Sequence, residues 1–324
     1  MMIKQIKNAI YQLGGQMGKE YLTLLKSLFF NLRYVSQLKP AKAKKKNVFY
    51  FLFDPKFSHP GLADRFKAIV GCYHIAKQNG YDFKIVWDTP YLLSDFLVPN
   101  QIDWRANKND ITYSLIDTRF FVYTGKRKGV QHRLSPQKQY VCCSYKGDDL
   151  FYVNGNTDYP KAFFMLYNEL FQPSDHLNAV LEETGLQPRG YISIHVRFVN
   201  ALETFEDSKY PTLSPEAQAN LMKRCRAAIL KVIETSALPV VLFSDSQKFL
   251  THMKDLPLII LNSENIAHIS NSSSNDSIMK TFLDFYLISR SKTVYRMIAK
   301  ELYATNFSLY ASFMGNAEEI ELYV

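Results

Sequence analysis

Two runs of strand–helix–strand punctuation decide what this chain can fold into. Residues 48–53 read Val-Phe-Tyr-Phe-Leu-Phe, a run too short for a helix and too evenly apolar for a surface strand, so they predict a strand buried on both faces. A loop with Pro55, Pro60 and Gly61 follows, then a helix over 63–78 stopped by Asn79-Gly80, then a strand over 83–87. The pattern restarts at Gly190, where Tyr-Ile-Ser-Ile-His-Val-Arg-Phe supplies a new strand. Ser214 and Pro215 are suited to the N-cap and first position of a helix running to about Thr235. Residues 239–243 and 258–261 predict strands and 277–289 an amphipathic helix. In the middle, 111–116, 120–123 and 139–143 predict strands and 162–171 a helix. The expectation is an α/β protein of two lobes, 47–185 and 186–324, preceded by a distinct segment, 1–46.

The net charge of +9 resides at the front of the chain. Residues 1–46 hold ten Lys or Arg against one acid, Glu20; removing these from the totals of 39 and 30 leaves 29 basic and 29 acidic residues for the body. A body without surplus positive charge argues against nucleic acid as a partner. The front segment combines an apolar and aromatic cluster around Tyr21–Leu32 with the basic tract 42–46. It is suited either to peripheral contact with an anionic membrane or to packing on the body as a helix and linker. No run of about 18 apolar residues predicts a membrane span. Four cysteines (Cys72, Cys142, Cys143, Cys225) without Cys-x-x-Cys spacing fit a reducing compartment, and the expected location is cytoplasmic, with peripheral membrane attachment through the front segment.

Ligands of open α/β sheets bind beyond the carboxyl ends of the strands, so polar residues there carry the functional reading. Gly61, Asp64 and Arg65 form a strand-to-helix turn suited to lining a binding loop, although taken alone the stretch reads as an ordinary helix opening with Asp64 at its N-terminus. His195 and Arg197 end the strand after Gly190. Arginine's planar fork suits a diphosphate, the alternative being an internal ion pair with a downstream acid. Asn200, Glu203, Glu206 and Asp207 follow in a loop whose carboxylates could deprotonate a hydroxyl. Ser244 and Asp245 end the strand 239–243, where Asp245 can accept from a base edge; Phe307 and Ser308 stand at a helix start suited to phosphate. Glycine-rich nucleotide loops, nucleophile elbows, His-Glu-x-x-His and Asp-x-Asp are missing, so no metal is expected.

In this order the stretches Gly61-Leu62-Ala63-Asp64-Arg65, Ile194-His195-Val196-Arg197, Phe243-Ser244-Asp245 and 268–315 with Asp284, Ser289 and Phe307-Ser308 resemble the superfamily of α1,2-, α1,6- and protein O-fucosyltransferases and the nodulation fucosyltransferase. The resemblance implies a GT-B fold, two Rossmann-like lobes with a cleft between them and the donor mainly on the second. It further implies metal-independent, inverting transfer of fucose from GDP-fucose to a glycan acceptor such as a bacterial surface saccharide. Arg197 would hold the diphosphate, His195, Asn200, Ser244, Asp245, Phe307 and Ser308 would complete the donor site, and Glu206, then Glu203, lies nearest the spacing of the base. Phe198 and Asn200 stand where relatives carry a second basic residue and an acid. That departure leaves two alternatives, a GT-B-like protein that binds nucleotide or glycan without turnover, and a transferase using another nucleotide sugar.

Overall fold

In the computed structural model the described residues are 32–36, 38, 47–54, 61–123, 134–136, 138–144, 158–203, 211–261 and 275–324. They divide into two compact units. The first is built on residues up to Pro60, Asp64–Leu93 and Pro99–Tyr159, the second on Gly61–Ala63, Ser94–Val98 and Pro160–Val324.

The first unit holds a four-stranded parallel sheet. Strand β1 (Val48–Leu52) lies between β2 (Asp82–Val86) and the later strand β5 (Gln139–Ser144), and β4 (Thr118–Tyr123) lies outside β5. Every residue of β1 is buried, as its uninterrupted apolar run requires. Helix α1 (Leu62–Gln78) makes the crossover from β1 to β2 and stops at Gly80, whose φ of 66° is a conformation glycine adopts without penalty. Residues 111–116 are not a strand: Asn107 and Asp110 close a capping box around a single 3₁₀ turn (Lys108–Asp110), and a second turn leads into β4. Local side-chain-to-backbone bonding by Asn and Asp outcompetes the pairing that the apolar residues suggest. Tyr34 and Val35 also pack on this unit's core, alongside Tyr50, Phe120 and Cys143. The front segment is therefore not separate in the part described; residues 32–36 belong to the body.

The second unit holds another four-stranded parallel sheet. Its central strand is β7 (Ile192–Val196), flanked by β8 (Val240–Ser244) on one side and by β9 (Thr293–Ile298) and β10 (Glu318–Tyr323) on the other. Residues 258–261 contribute only a bridge at Ile259 beside Val241. Two short strands, β3 (Leu97–Pro99) and β6 (Phe171–Pro173), pair in a separate two-stranded sheet. Helix α4 (Pro215–Thr235) carries the predicted Ser214 cap, its hydroxyl accepting from the Ala217 amide at 3.3 Å. The remaining helices are α2 (Tyr159–Leu170), α3 (Asp175–Glu183), α5 (Gln247–His252), α6 (Asn275–Arg290) and α7 (Phe307–Gly315).

Residues 160–185, read from the sequence as part of the first lobe, group with the second. The Tyr167 and Tyr286 hydroxyls meet at 3.1 Å inside it, and the Asn168 amide donates to the Met314 carbonyl. Gly185, with φ of 68°, follows the end of helix α3, and the expected lobe boundary at 185 does not coincide with a division between the units.

Candidate functional site

The register of the second sheet assembles the site. β7 and β8 run in parallel with His195 opposite Phe243 and Val196 opposite Ser244, so the next residue of each chain, Arg197 and Asp245, emerge side by side. Asp245, with its side chain 3% exposed, accepts from the Phe198 amide at 2.7 Å and the Val199 amide at 2.8 Å. The same carboxylate lies 3.3 Å from Nε of Arg197. It thus laces the turn after β7 to the end of β8 and holds Val199 at φ 55°, a left-handed conformation unfavourable for a β-branched residue. The Arg197 side chain stays 21% exposed, and its carbonyl accepts from the Tyr303 amide. Both sequence readings of Arg197 meet here: an internal carboxylate orients the guanidinium through Nε, while the side chain still reaches solvent.

His195 is buried in β7, opposite Arg296 of β9. Its Nδ1 lies 3.1 Å from Oγ of Ser308, a fully buried residue in the first turn of α7, and Phe307 lies against its ring with centroids 5.5 Å apart. Burial first, then the positive charges of Arg197, Arg296 and Lys280, lower its pKa from 6.5 to about 3, so the imidazole is neutral at physiological pH. The Asn306 side chain makes no capping bond at the start of α7; Thr305 Oγ1 accepts from the Phe307 amide at 3.0 Å, and it is the next amides of that turn that suit an anion.

The depressed pKa has a measurable consequence. Above pH 6.5 His195 is neutral in folded and unfolded chains alike. As the pH falls toward 3 only the unfolded chain takes up the proton, so stability is lost across that window at up to about 1.4 kcal/mol per pH unit. His195→Asn, which keeps a group able to bond Ser308, removes this titration. Urea unfolding at pH 6.5 and 4.5 is expected to show the native chain losing about 2 kcal/mol more than the variant over that interval; equal losses would contradict the assignment.

Other expected residues fall elsewhere. The Glu203 carboxylate accepts from Ser246 Oγ at 2.7 Å, and Ser246 in turn caps α5. Glu206 lies outside the described residues, as does Asp207. Asn200 is buried beside the Arg197 turn, and Ser244 Oγ accepts from the Ser246 amide at 3.2 Å. Gly61 has no positive φ and open space where a Cβ would sit, so its backbone does not require glycine there. Asp64 pairs with Lys67 at 2.7 Å on α1. Arg65 is 1% exposed, inside the first unit, its guanidinium over the rings of Phe53 (4.2 Å) and Trp87 (4.8 Å), with NH1 3.4 Å from the Tyr91 hydroxyl. It is not a surface loop residue: its stem and planar head fill an aromatic slot.

Lys280 and Arg296 escaped the sequence reading of this site. Lys280 bonds both oxygens of Asp284 on α6 at 2.5 Å, with both side chains largely covered. Arg296 pairs with Glu319 and Glu321 of β10. A lysine and an acid four apart on a helix otherwise apolar at Ile278, Phe282 and Phe285 were the available signal for the first pair. Among the described residues no group of three or more His, Cys, Asp or Glu could hold a metal ion, and no helix is long and apolar enough to cross a membrane.

Neither a protein-family model nor a curated protein sequence matches the chain. Solved structures do. NodZ α-1,6-fucosyltransferase soaked with GDP-fucose aligns with a TM-score of 0.55 at 14% identity, over 84% of this chain and 93% of its own. A mutant of Arabidopsis thaliana FUT1 in complex with GDP aligns at 0.57 and 12% identity, over 98% of this chain and 78% of its own. Fucosyltransferase NodZ from Bradyrhizobium aligns at 0.54 and 13% identity, over 83% of this chain and 92% of its own. With its two parallel-sheet units, the chain has the α/β fold of these fucosyltransferases, the GT-B fold.

Proposed function

We propose that this chain is a glycosyltransferase that takes fucose from GDP-fucose, with the donor held by the second unit. The observation that carries the reading is the convergence, at the carboxyl end of β7, of an oriented and partly exposed Arg197 with a neutral His195 bonded to Ser308 at the start of α7. Each group has something to offer a nucleoside diphosphate. Arg197 donates charge-assisted hydrogen bonds to phosphate, and Ser308 and the first-turn amides of α7 beyond that of Phe307, which is bonded to Thr305 Oγ1, add neutral donors. The leaving diphosphate gathers negative charge as the bond to the sugar breaks, so fixed cations and dipoles stabilise that stage more than the ground state. This is how the reaction would proceed without a metal. Asp245, whose oxygens meet two backbone amides and Arg197, positions the arginine in place of the base-edge contact expected from the sequence.

Transfer with inversion needs a base for the acceptor hydroxyl. Glu206 is the better candidate, because Glu203 is already bonded to Ser246 at the head of α5. The acceptor in this reading is a glycan such as a bacterial surface saccharide. The test incubates the full chain with GDP-fucose labelled in the sugar and a panel of glycans. Label moved onto a glycan, with one GDP formed per sugar transferred, is the expected result. GDP binding with no transfer to any glycan would favour the alternative of a binding protein without turnover, for which Phe198 and Asn200 are the sequence grounds. Transfer only from a different nucleotide sugar would reassign the donor.

A further inference from the structure

Four large aliphatic side chains stand exposed near one edge of the first unit: Leu32 (67%), Leu38 (68%), Leu115 (42%) and Ile116 (44%). Bonds from Ser36 to Tyr113 tie the two segments that bear them. The Ser36 amide donates to the Tyr113 carbonyl at 2.9 Å, placing Leu38 two residues beyond one end of that bond and Leu115 two residues beyond the other. Tyr34 fixes the segment from below, stacked on Tyr113 and Phe120 with centroids 6.2 and 6.0 Å away and its hydroxyl bonded to Asp54 at 2.5 Å. The exposed leucines are thus held on a rigid base.

The charges around them are mostly positive. Arg119 donates to the Leu115 carbonyl at 2.9 Å, Lys138 donates to the Ile116 carbonyl, and Arg33 lies over the Tyr34 ring. Two acids lie near: Asp117 stands in the same turn, and Asp54, bonded to Tyr34, pairs with Arg33 at 3.7 Å. Bonding to backbone carbonyls fixes the first two cations beside the aliphatic side chains without neutralising them. In sequence, moreover, Leu38 is followed within eight residues by Lys39, Lys42, Lys44, Lys45 and Lys46. Protruding aliphatic groups ringed by lysine and arginine match the layered chemistry of an anionic bilayer surface, acyl chains beneath and phosphate above.

We propose that this edge, centred on Leu115, Ile116 and Leu38 with Arg119 and Lys138 at its rim, docks the protein on the surface of an anionic membrane. The proposal stands independently of the donor site in the second unit. It also differs from attachment through the front segment alone, since half of the surface comes from the turn before β4. The test sediments the full chain with vesicles of phosphatidylcholine, with and without phosphatidylglycerol. Binding to the anionic vesicles and not the neutral ones is expected. The doubly substituted chain Leu115→Ser, Ile116→Ser should bind about tenfold or more weakly, while its melting temperature and GDP affinity stay as in the native chain. Arg119→Glu, a change at an exposed side chain, reads the same surface should the double variant fold poorly, and should weaken anionic binding severalfold. Absence of binding to anionic vesicles, or binding that both variants retain, overturns the proposal. So does a native dimer in sedimentation velocity that the double variant disperses, which would assign the edge to a second copy of the chain.

Discussion

Asp245→Ala is expected to cost about 3–5 kcal/mol of folding stability, the loss typical when one partner of a buried charge-assisted network is removed. Three donors lose their acceptor at once, the amides of Phe198 and Val199 and Nε of Arg197. Neither amide belongs to the sheet ladder, and Val199, held at φ 55°, has little reason to keep that conformation without the carboxylate. Set against a usual domain stability of about 5–15 kcal/mol, the loss is large. Urea unfolding monitored in the second unit measures it. The variant should also bind GDP more weakly, because Arg197 loses the group that aims it. A loss under about 1 kcal/mol would mean that the turn after β7 is held by something else.

Gly315→Ala is the second large effect, expected to cost about 3 kcal/mol or more. A Cβ at this position would lie 1.9 Å from the Ser289 carbonyl oxygen and 2.6 Å from its carbon, so two helix backbones, α6 and α7, must separate before any side chain fits. Backbone offers no rotamer by which to yield. The displacement would be felt at the site, because α7 carries Ser308 against His195 while α6 carries Phe285, edge-on to Phe307 at 5.1 Å. Thermal unfolding together with GDP titration should therefore register both lower stability and weaker binding. A variant that melts within a degree of the native chain would contradict the close approach.

How much of this was legible in the sequence depended on the range of the interaction. Local signals served well. The run at 48–52 is a strand because nothing polar interrupts it, that at 192–196 because Ile192, Ile194 and Val196 alternate with Ser193 and His195 in a β-branched stretch, and Ser214-Pro215 begins a helix because its cap and fixed φ act within one turn. The strand expected at 111–116 failed for an equally local reason, the competing capping box at Asn107 and Asp110. Contacts between distant segments were harder. Arg197 stood out as a cation at a strand end, but its partner followed only from the register of β7 on β8, which no residue announces. Arg65 shows the same limit from the other side: a charged residue in a turn motif reads as a surface group until Phe53, Trp87 and Tyr91 are seen to enclose it. The grouping of residues 160–185 with the second unit likewise rests on long-range bonds such as Tyr167 to Tyr286.

Whether Arg197 grips the diphosphate of a guanine nucleotide is decided by calorimetric titration of GDP into the native chain and into Arg197→Ala. Losing a charge-assisted contact of about 1.5–3 kcal/mol should weaken GDP about ten- to more than a hundredfold, with the folded state intact because Asp245 keeps both backbone donors. The same affinity in both chains would show that the guanidinium, paired with Asp245, has a structural role and that the diphosphate is held elsewhere.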